Sequence, residues 1–420
     1  MTKILPLIPR YAIYTLLVFT PLARASVQPW AITTIHIITL IALTAFLLEK
    51  TLTNNYQWIS TPLDVPFGCL LLLCLLSTLF SLHPRTSFWS TTLLLNYIAI
   101  FYLVIHTFRT RSQLRHLVYL IIGIAVFLSI FGFFKKAGIN LFPWWDYTDL
   151  PQRVRLTATF GNPDHLAGYM EMAIPLLLGL LLLGHRRAVT VLLVYLSFLL
   201  LTALVLSLSR GSWVGMLTGL LLMAICLLLD RHFTHKRLII GLMTGTLAVA
   251  LIVLASTPVV ERILTMTENG IEPNLETRMR VWSSTTDVIA EYPLIGTGLG
   301  TYALTFIKYQ PPGLTTQFTM AHNDYVHLVS EAGLPLIAII VWMMIALYRK
   351  GFHKLKNPSR LVRGTTLGAM AGITAILVHS FVDFNLHIGA NALLLTVLAA
   401  LVAAPLPISN GLSNRSKART

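Results

Sequence analysis

Long apolar blocks separated by short polar breaks run through most of this chain. A block that crosses a bilayer as a helix needs about 20 mostly apolar residues. Twelve such spans are predicted, at 10–25, 29–48, 65–82, 88–108, 114–134, 164–184, 188–208, 211–229, 237–255, 325–348, 364–382 and 387–405. The stretch 188–229 is almost continuously apolar. As one helix it would run roughly 63 Å, about twice the thickness of the hydrocarbon core. It is therefore expected to form two spans that break at Ser207-Leu208-Ser209-Arg210-Gly211-Ser212. An arginine at the bilayer centre costs at least about 2.5–3.5 kcal/mol, which puts Arg210 at a hairpin tip near the membrane surface. The first span has Lys3 and Arg10 ahead of it and Ala23-Arg24-Ala25 behind, the outline of a signal peptide. With so many spans following, it is read as an uncleaved first span.

Two longer polar segments interrupt the pattern, at about 135–163 and 256–321. The second precedes the tenth span and is predicted to hold a helix from Glu276 to Tyr292, ended by Pro293 and the glycines after it. Long segments of this kind often form lids or sites. The expected organisation is one polytopic membrane domain over 1–405, with 256–321 as its large outer loop and 406–420 as a tail. The fold class is an all-α integral membrane protein with about twelve transmembrane helices.

Composition agrees: 55% of residues are apolar and 11% charged, against about 25% charged in an ordinary soluble domain. This excludes a water-soluble globular protein and a disordered chain. The net charge of +15 suggests a nucleic-acid partner until it is mapped onto the spans. Twenty of the 31 Lys and Arg fall on the side of the N-terminus, with only Glu49, Asp64 and Asp230 beside them. That is the positive-inside pattern, with both termini cytoplasmic. No nucleic-acid partner is expected, and the lipid bilayer is. Cys69, Cys74 and Cys226 lie inside apolar runs and read as small buried residues, not as a disulfide or zinc framework.

Several groups on the opposite, outer side carry possible chemistry. Arg210 offers a planar guanidinium that fits phosphate oxygens. Arg278-Met-Arg280-Val-Trp282 adds two more arginines on that side. His322, in Ala321-His322-Asn323-Asp324-Tyr325, is of the residue type that titrates near neutral pH and serves as a general base. Gly298 to Ala303 matches the dinucleotide pattern G-x-G-x-x-A. It lacks the strand–turn–helix context that pattern requires and is read as a closely packed turn. His379, Asp383 and His387 are spaced by four, as metal ligands on one helical stripe would be. No further ligand joins them, and Asp383-Phe384-Asn385 reads as the turn between the last two spans. No metal or cofactor is expected. Phosphate chemistry here would draw its positive charge from arginines.

The ordered set Thr159-Phe-Gly-Asn-Pro-Asp-His-Leu-Ala-Gly168-Tyr, Leu208-Ser-Arg210-Gly-Ser-Trp-Val-Gly215, Arg280-Val-Trp282, Tyr292-Pro-Leu-Ile-Gly296-Thr-Gly-Leu-Gly300 and Ala321-His322-Asn323-Asp-Tyr325 resembles the O-antigen ligase/polymerase family. The resemblance implies a GT-C-like glycosyltransferase of the bacterial inner membrane with its active site on the periplasmic face. The donor would be a glycan on undecaprenyl diphosphate. The acceptor would be lipid A–core for a ligase, another lipid-linked glycan for a polymerase, or a protein such as pilin. The resemblance makes His322 the catalytic residue and Arg210 and Arg280 the diphosphate ligands. Arg280 is chosen because a tryptophan follows two residues later. Arg155, Asn162, Arg278 and Asn323 are weaker candidates for the donor or acceptor site. The implied reaction is inverting and needs no metal, and ligase is preferred over polymerase. A secondary transporter is the rival of another class. Against it, the polar residues gather on one face, and no inverted repeat is visible.

Overall fold

The computed structural model describes residues 4–139, 141, 155–229, 240, 241, 244, 245, 273–314 and 317–406. Their regular elements are fourteen α-helices. In chain order these are α1 (Leu7–Leu22), α2 (Pro29–Leu52), α3 (Asp64–Leu79), α4 (Pro84–Thr107), α5 (Arg111–Lys136), α6 (Pro163–Leu181) and α7 (Arg187–Leu206). There follow α8 (Arg210–Leu229), α9 (Pro273–Glu291), α10 (Tyr302–Thr305), α11 (Asp324–Ala332), α12 (Pro335–Leu355), α13 (Arg360–His379) and α14 (Gly389–Ala403). Ten of the twelve expected spans coincide with α1–α8, α13 and α14, and the tenth falls on α11 and the first part of α12. The ninth, 237–255, lies largely outside the described residues. Seven of the described helices are long and apolar enough to cross a membrane: α2, α4, α5, α7, α8, α12 and α13. The chain is a helical membrane protein.

The bundle is built around α13, which is buried along almost its whole length. Small residues let its neighbours approach to backbone contact, the usual device where no hydrophobic effect drives helices together. Gly211, Gly215 and Gly219 recur every four residues and so share one face of α8. A Cβ on Gly215 would lie 2.5 Å from the carbonyl oxygen of Ala375, and one on Gly219 would lie 2.4 Å from that of Ala371. On the other side, a Cβ on Gly179 of α6 would lie 2.2 Å from the carbonyl oxygen of Gly364. Exposed large apolar residues such as Leu72, Trp89, Val191 and Leu221 cover the outside, as they do in a protein whose solvent is lipid.

The break between α7 and α8 falls where the arginine argument put it. Leu208 has φ 53°, and α8 restarts at Arg210. The polar-loop helix appears as α9, a few residues earlier than expected. The tenth span needs correction. The stretch 325–348 is not one helix but two, because α11 ends at Gly333 with φ 82° and Pro335 opens α12. Gly333 is pressed against the backbone of Leu294, where a Cβ would meet the carbonyl carbon at 2.4 Å. An apolar run hides such a break, because the hydropathy of both halves is alike.

Candidate functional site

His322 lies on the turn that leads into α11, at φ 53°, in the left-handed region that non-glycine residues seldom occupy. Three contacts hold this turn. Asn323 caps α11, its side-chain oxygen accepting from the amides of Tyr325 (3.0 Å) and Val326 (3.2 Å). The amide of Asp324 donates to the carbonyls of Ser380 (2.9 Å) and Asp383 (3.2 Å). The buried Asp324 carboxylate accepts from Leu386 N (3.0 Å) and pairs with His387 Nδ1 (2.7 Å). Asp324 therefore clasps the start of α11 to the α13–α14 turn.

That clasp brings His322 Nδ1 to 3.7 Å from Oδ1 of Asp383. The distance suits an ion pair more than a hydrogen bond. The ring is about a third exposed, so Nε2 is the nitrogen available to a ligand. The edge of Phe384 meets the His322 ring, with centroids 5.0 Å apart, and meets His165 from α6 in the same way at 4.8 Å. Burial works to raise the Asp383 carboxyl. The imidazole of His322, then those of His379 and His165, and the amide of Phe384 outweigh it and bring its pKa to about 2. Asp383 is therefore a standing anion beside His322.

The arginines approach the same turn. Residues four apart share a helix face, and α9 uses Arg278 and Trp282 in that way. Arg278 donates to the carbonyl of Val382 at 2.8 Å, and the Trp282 indole donates to the carbonyl of Ala321 at 2.8 Å. The two hold the residues that precede Asp383 and His322 in the chain. Arg280, two positions away, points elsewhere. It is exposed and donates to the carbonyl of Pro312 at 2.7 Å. Arg210 opens α8, and the adjacent Gly211 packs on the same turn. A Cβ there would lie 2.6 Å from the His379 ring and 2.8 Å from Val382.

The remaining candidates have structural duties nearby. Arg155 pairs with Asp164 at 2.6 Å and donates to the carbonyl of Ser207 at 2.7 Å. Asn162 caps α6, accepting from the Asp164 amide at 2.8 Å, and its amide nitrogen lies 3.4 Å from His165 Nε2. Arg155 ties the start of α6 to the α7–α8 break, and Asn162 holds the first turn of α6 beside His165. The glycine motif is the close turn it was read as. Gly298 donates its amide to the Glu331 carbonyl at 2.9 Å, and a Cβ on Gly298 would run into Ser81.

Two features had no clear signal in the sequence. The first is Asp383 as the partner of His322, while His387, its neighbour in the stripe, turns to Asp324. The second is an apolar cavity of about 400 Å³ lined by Phe67, Leu94, Phe101, Leu336 and Leu395, with Glu331 and His387 on its wall. Among the described residues, His327, Glu331 and His387 bring potential ligand atoms within 4.8 Å of one another. His327 Nδ1 accepts from the Ala321 amide at 3.4 Å. That places the ring hydrogen on Nε2, 3.3 Å from Glu331. His327 and Glu331 are paired within this group, and His387 pairs with Asp324.

Fold and site define a polytopic helical membrane protein with a histidine, a fixed carboxylate and arginines gathered at one end of the bundle. Residues 195–341, about a third of the chain, match the family described as O-antigen ligase, which supports the resemblance to the O-antigen ligase/polymerase family. The match supports a function of the O-antigen ligase/polymerase type, a glycosyltransferase role. No curated protein matches the chain significantly. The matched stretch contains Arg210, Arg278, Arg280 and His322, and stops short of Asp383.

Proposed function

We propose that the chain is an O-antigen ligase. In this reading it moves a glycan from undecaprenyl diphosphate to a hydroxyl of lipid A–core at the periplasmic face of the bacterial inner membrane. The observation that carries the reading is the convergence of His322, Asp383, Arg278 and the start of α8 on one turn.

The chemistry follows from the charges. The acceptor oxygen attacks the anomeric carbon and forms the new C–O bond as the bond to the diphosphate breaks. The electron pair leaves with undecaprenyl diphosphate, so negative charge grows on that group. Arg210 and Arg278 stabilise it, which is the electrostatic part of the catalysis. Arg280 was the choice from sequence, but Arg278 is the one turned toward the site, and Arg280 stands at the rim of the loop. His322 Nε2 takes the acceptor's proton as general base, and Asp383 balances the imidazolium. Attack from the face opposite the diphosphate inverts the linkage. The apolar cavity beside α11 suits the near end of a polyprenyl chain.

The test is a gel of products from purified protein in liposomes that contain the lipid-linked oligosaccharide. The expected result is no change until lipid A–core is added, and then a shifted acceptor band. A ladder of longer lipid-linked chains without lipid A–core would make the protein a polymerase. Proton-driven sugar uptake with no transfer would overturn both.

A further inference from the structure

Two helices buried against each other carry a carboxylate and an imidazole that the reaction above does not use. Glu171 on α6 is fully buried, and its Oε1 lies 3.0 Å from Nδ1 of His379 in the last turn of α13. His379 Nε2 lies 3.8 Å from Oδ2 of Asp383 and 3.5 Å from the Ser209 hydroxyl. The other oxygen of Asp383 is the one that faces His322. Glu171, His379, Asp383 and His322 therefore form a row in which carboxylate and imidazole alternate from the interior to the site. Asn385 braces the middle, its amide nitrogen 3.2 Å from His379 Nδ1 and 3.4 Å from Asp383 Oδ2.

The surrounding sequence leaves room for this row. A Cβ on Gly211 would strike the His379 ring at 2.6 Å, one on Gly215 would come within 2.9 Å of Glu171 Oε2, and one on Gly168 within 2.3 Å of Asn385. A bundle held by apolar packing has no need of a buried ion pair, which well-packed apolar residues of similar volume often replace without loss of stability. A role in the site accounts for the pair where stability does not.

We propose that the Glu171–His379 pair positions His322, acting through Asp383. The inference rests on the reading of His322 as the group that accepts the proton. His379 fixes the Asp383 carboxylate in place, and Asp383 fixes the imidazole, so that Nδ1 faces the carboxylate and Nε2 faces the acceptor. When His322 takes the proton, its positive charge completes the alternation. The other charged groups around the turn are His165 and Asp164 on α6, Arg155 paired with Asp164, Arg278 on α9 and Arg210 on α8. They stay unchanged in the test.

The test uses diethyl pyrocarbonate, which attacks a histidine ring only in its neutral form, on the purified full chain. Mass spectrometry of the His322 peptide against pH gives the midpoint of its titration with no donor or acceptor present. Asp383→Asn removes a facing anion and is expected to lower the midpoint. Glu171→Gln is expected to move it by about half a pH unit, roughly threefold in the proton equilibrium, and to have no effect when Asp383→Asn is already present. His379→Gln breaks the same row and serves if Glu171→Gln does not accumulate. A midpoint that neither variant moves, or one that moves equally with and without Asp383, overturns the proposal. If the midpoints move as expected but no variant or native protein transfers glycan, the functional reading fails on its own.

Discussion

At the scale of single residues, His322 combines a strained backbone, partial exposure and a buried carboxylate behind it. A positioned general base contributes roughly 10²–10⁴-fold to a rate. His322→Ala is expected to lower transfer by that factor in membranes that hold normal amounts of protein, and a variant within threefold of native would remove the base from this position. The pH dependence has a definite sign. The carboxyl of Asp383 is lowered from 3.8 to about 2. Its contribution to stability is complete above 3.8 and is lost as the pH falls through about 2. Between about pH 5 and 8 it does not titrate, so a fall in transfer on acidification across that range reports an imidazole. His165 is the other ring against Phe384. In a rate–pH profile the acid limb is expected to survive His165→Gln. Its loss in that variant would move the base to His165.

At the scale of elements, α9 shows what a helix face decides that a motif does not. Arg278 and Trp282 face the site because four residues return to the same side, and the intervening Arg280 does not. Arg278→Ala is expected to lower transfer roughly 10²–10³-fold, as loss of one charge-stabilising donor does, and Arg280→Ala by much less. Equal losses, measured as initial rates in the same liposomes, would restore Arg280 to the diphosphate. The same elements show what the sequence made legible. The spans, the break before Arg210 and the turn after Val382 follow from hydropathy and from the cost of burying charge, which are local properties. The split at Gly333 did not show, because what forces it is Leu294 packed against that backbone. Nor did Asp383 as the partner of His322. The two are 61 positions apart, and only the Asp324 clasp and the α9 grip bring them together.

At the scale of the molecule, the site's chemistry depends on which side of the membrane it faces. The basic residues Lys354, Lys356, Arg360 and Arg363 cluster where α12 ends and α13 begins. α12 follows the short helix α11, which begins at the site, and runs 21 residues, about 31 Å at 1.5 Å per residue, so that the basic turn emerges a bilayer's thickness from its start. Positive loops stay in the cytoplasm, so under the proposed function the site is expected to face outside. A diphosphate donor displayed outside is out of reach of cytosolic nucleotides, and this is why a reaction that carries its own leaving group fits the site. Two surface positions test the arrangement. Ser283 is exposed on α9, and Lys356 is exposed in the basic loop. In intact spheroplasts, a membrane-impermeant maleimide is expected to label Ser283→Cys. It is expected to label Lys356→Cys only after the membrane is opened. The reverse pattern would turn the site toward the cytoplasm, where no periplasmic acceptor could meet His322.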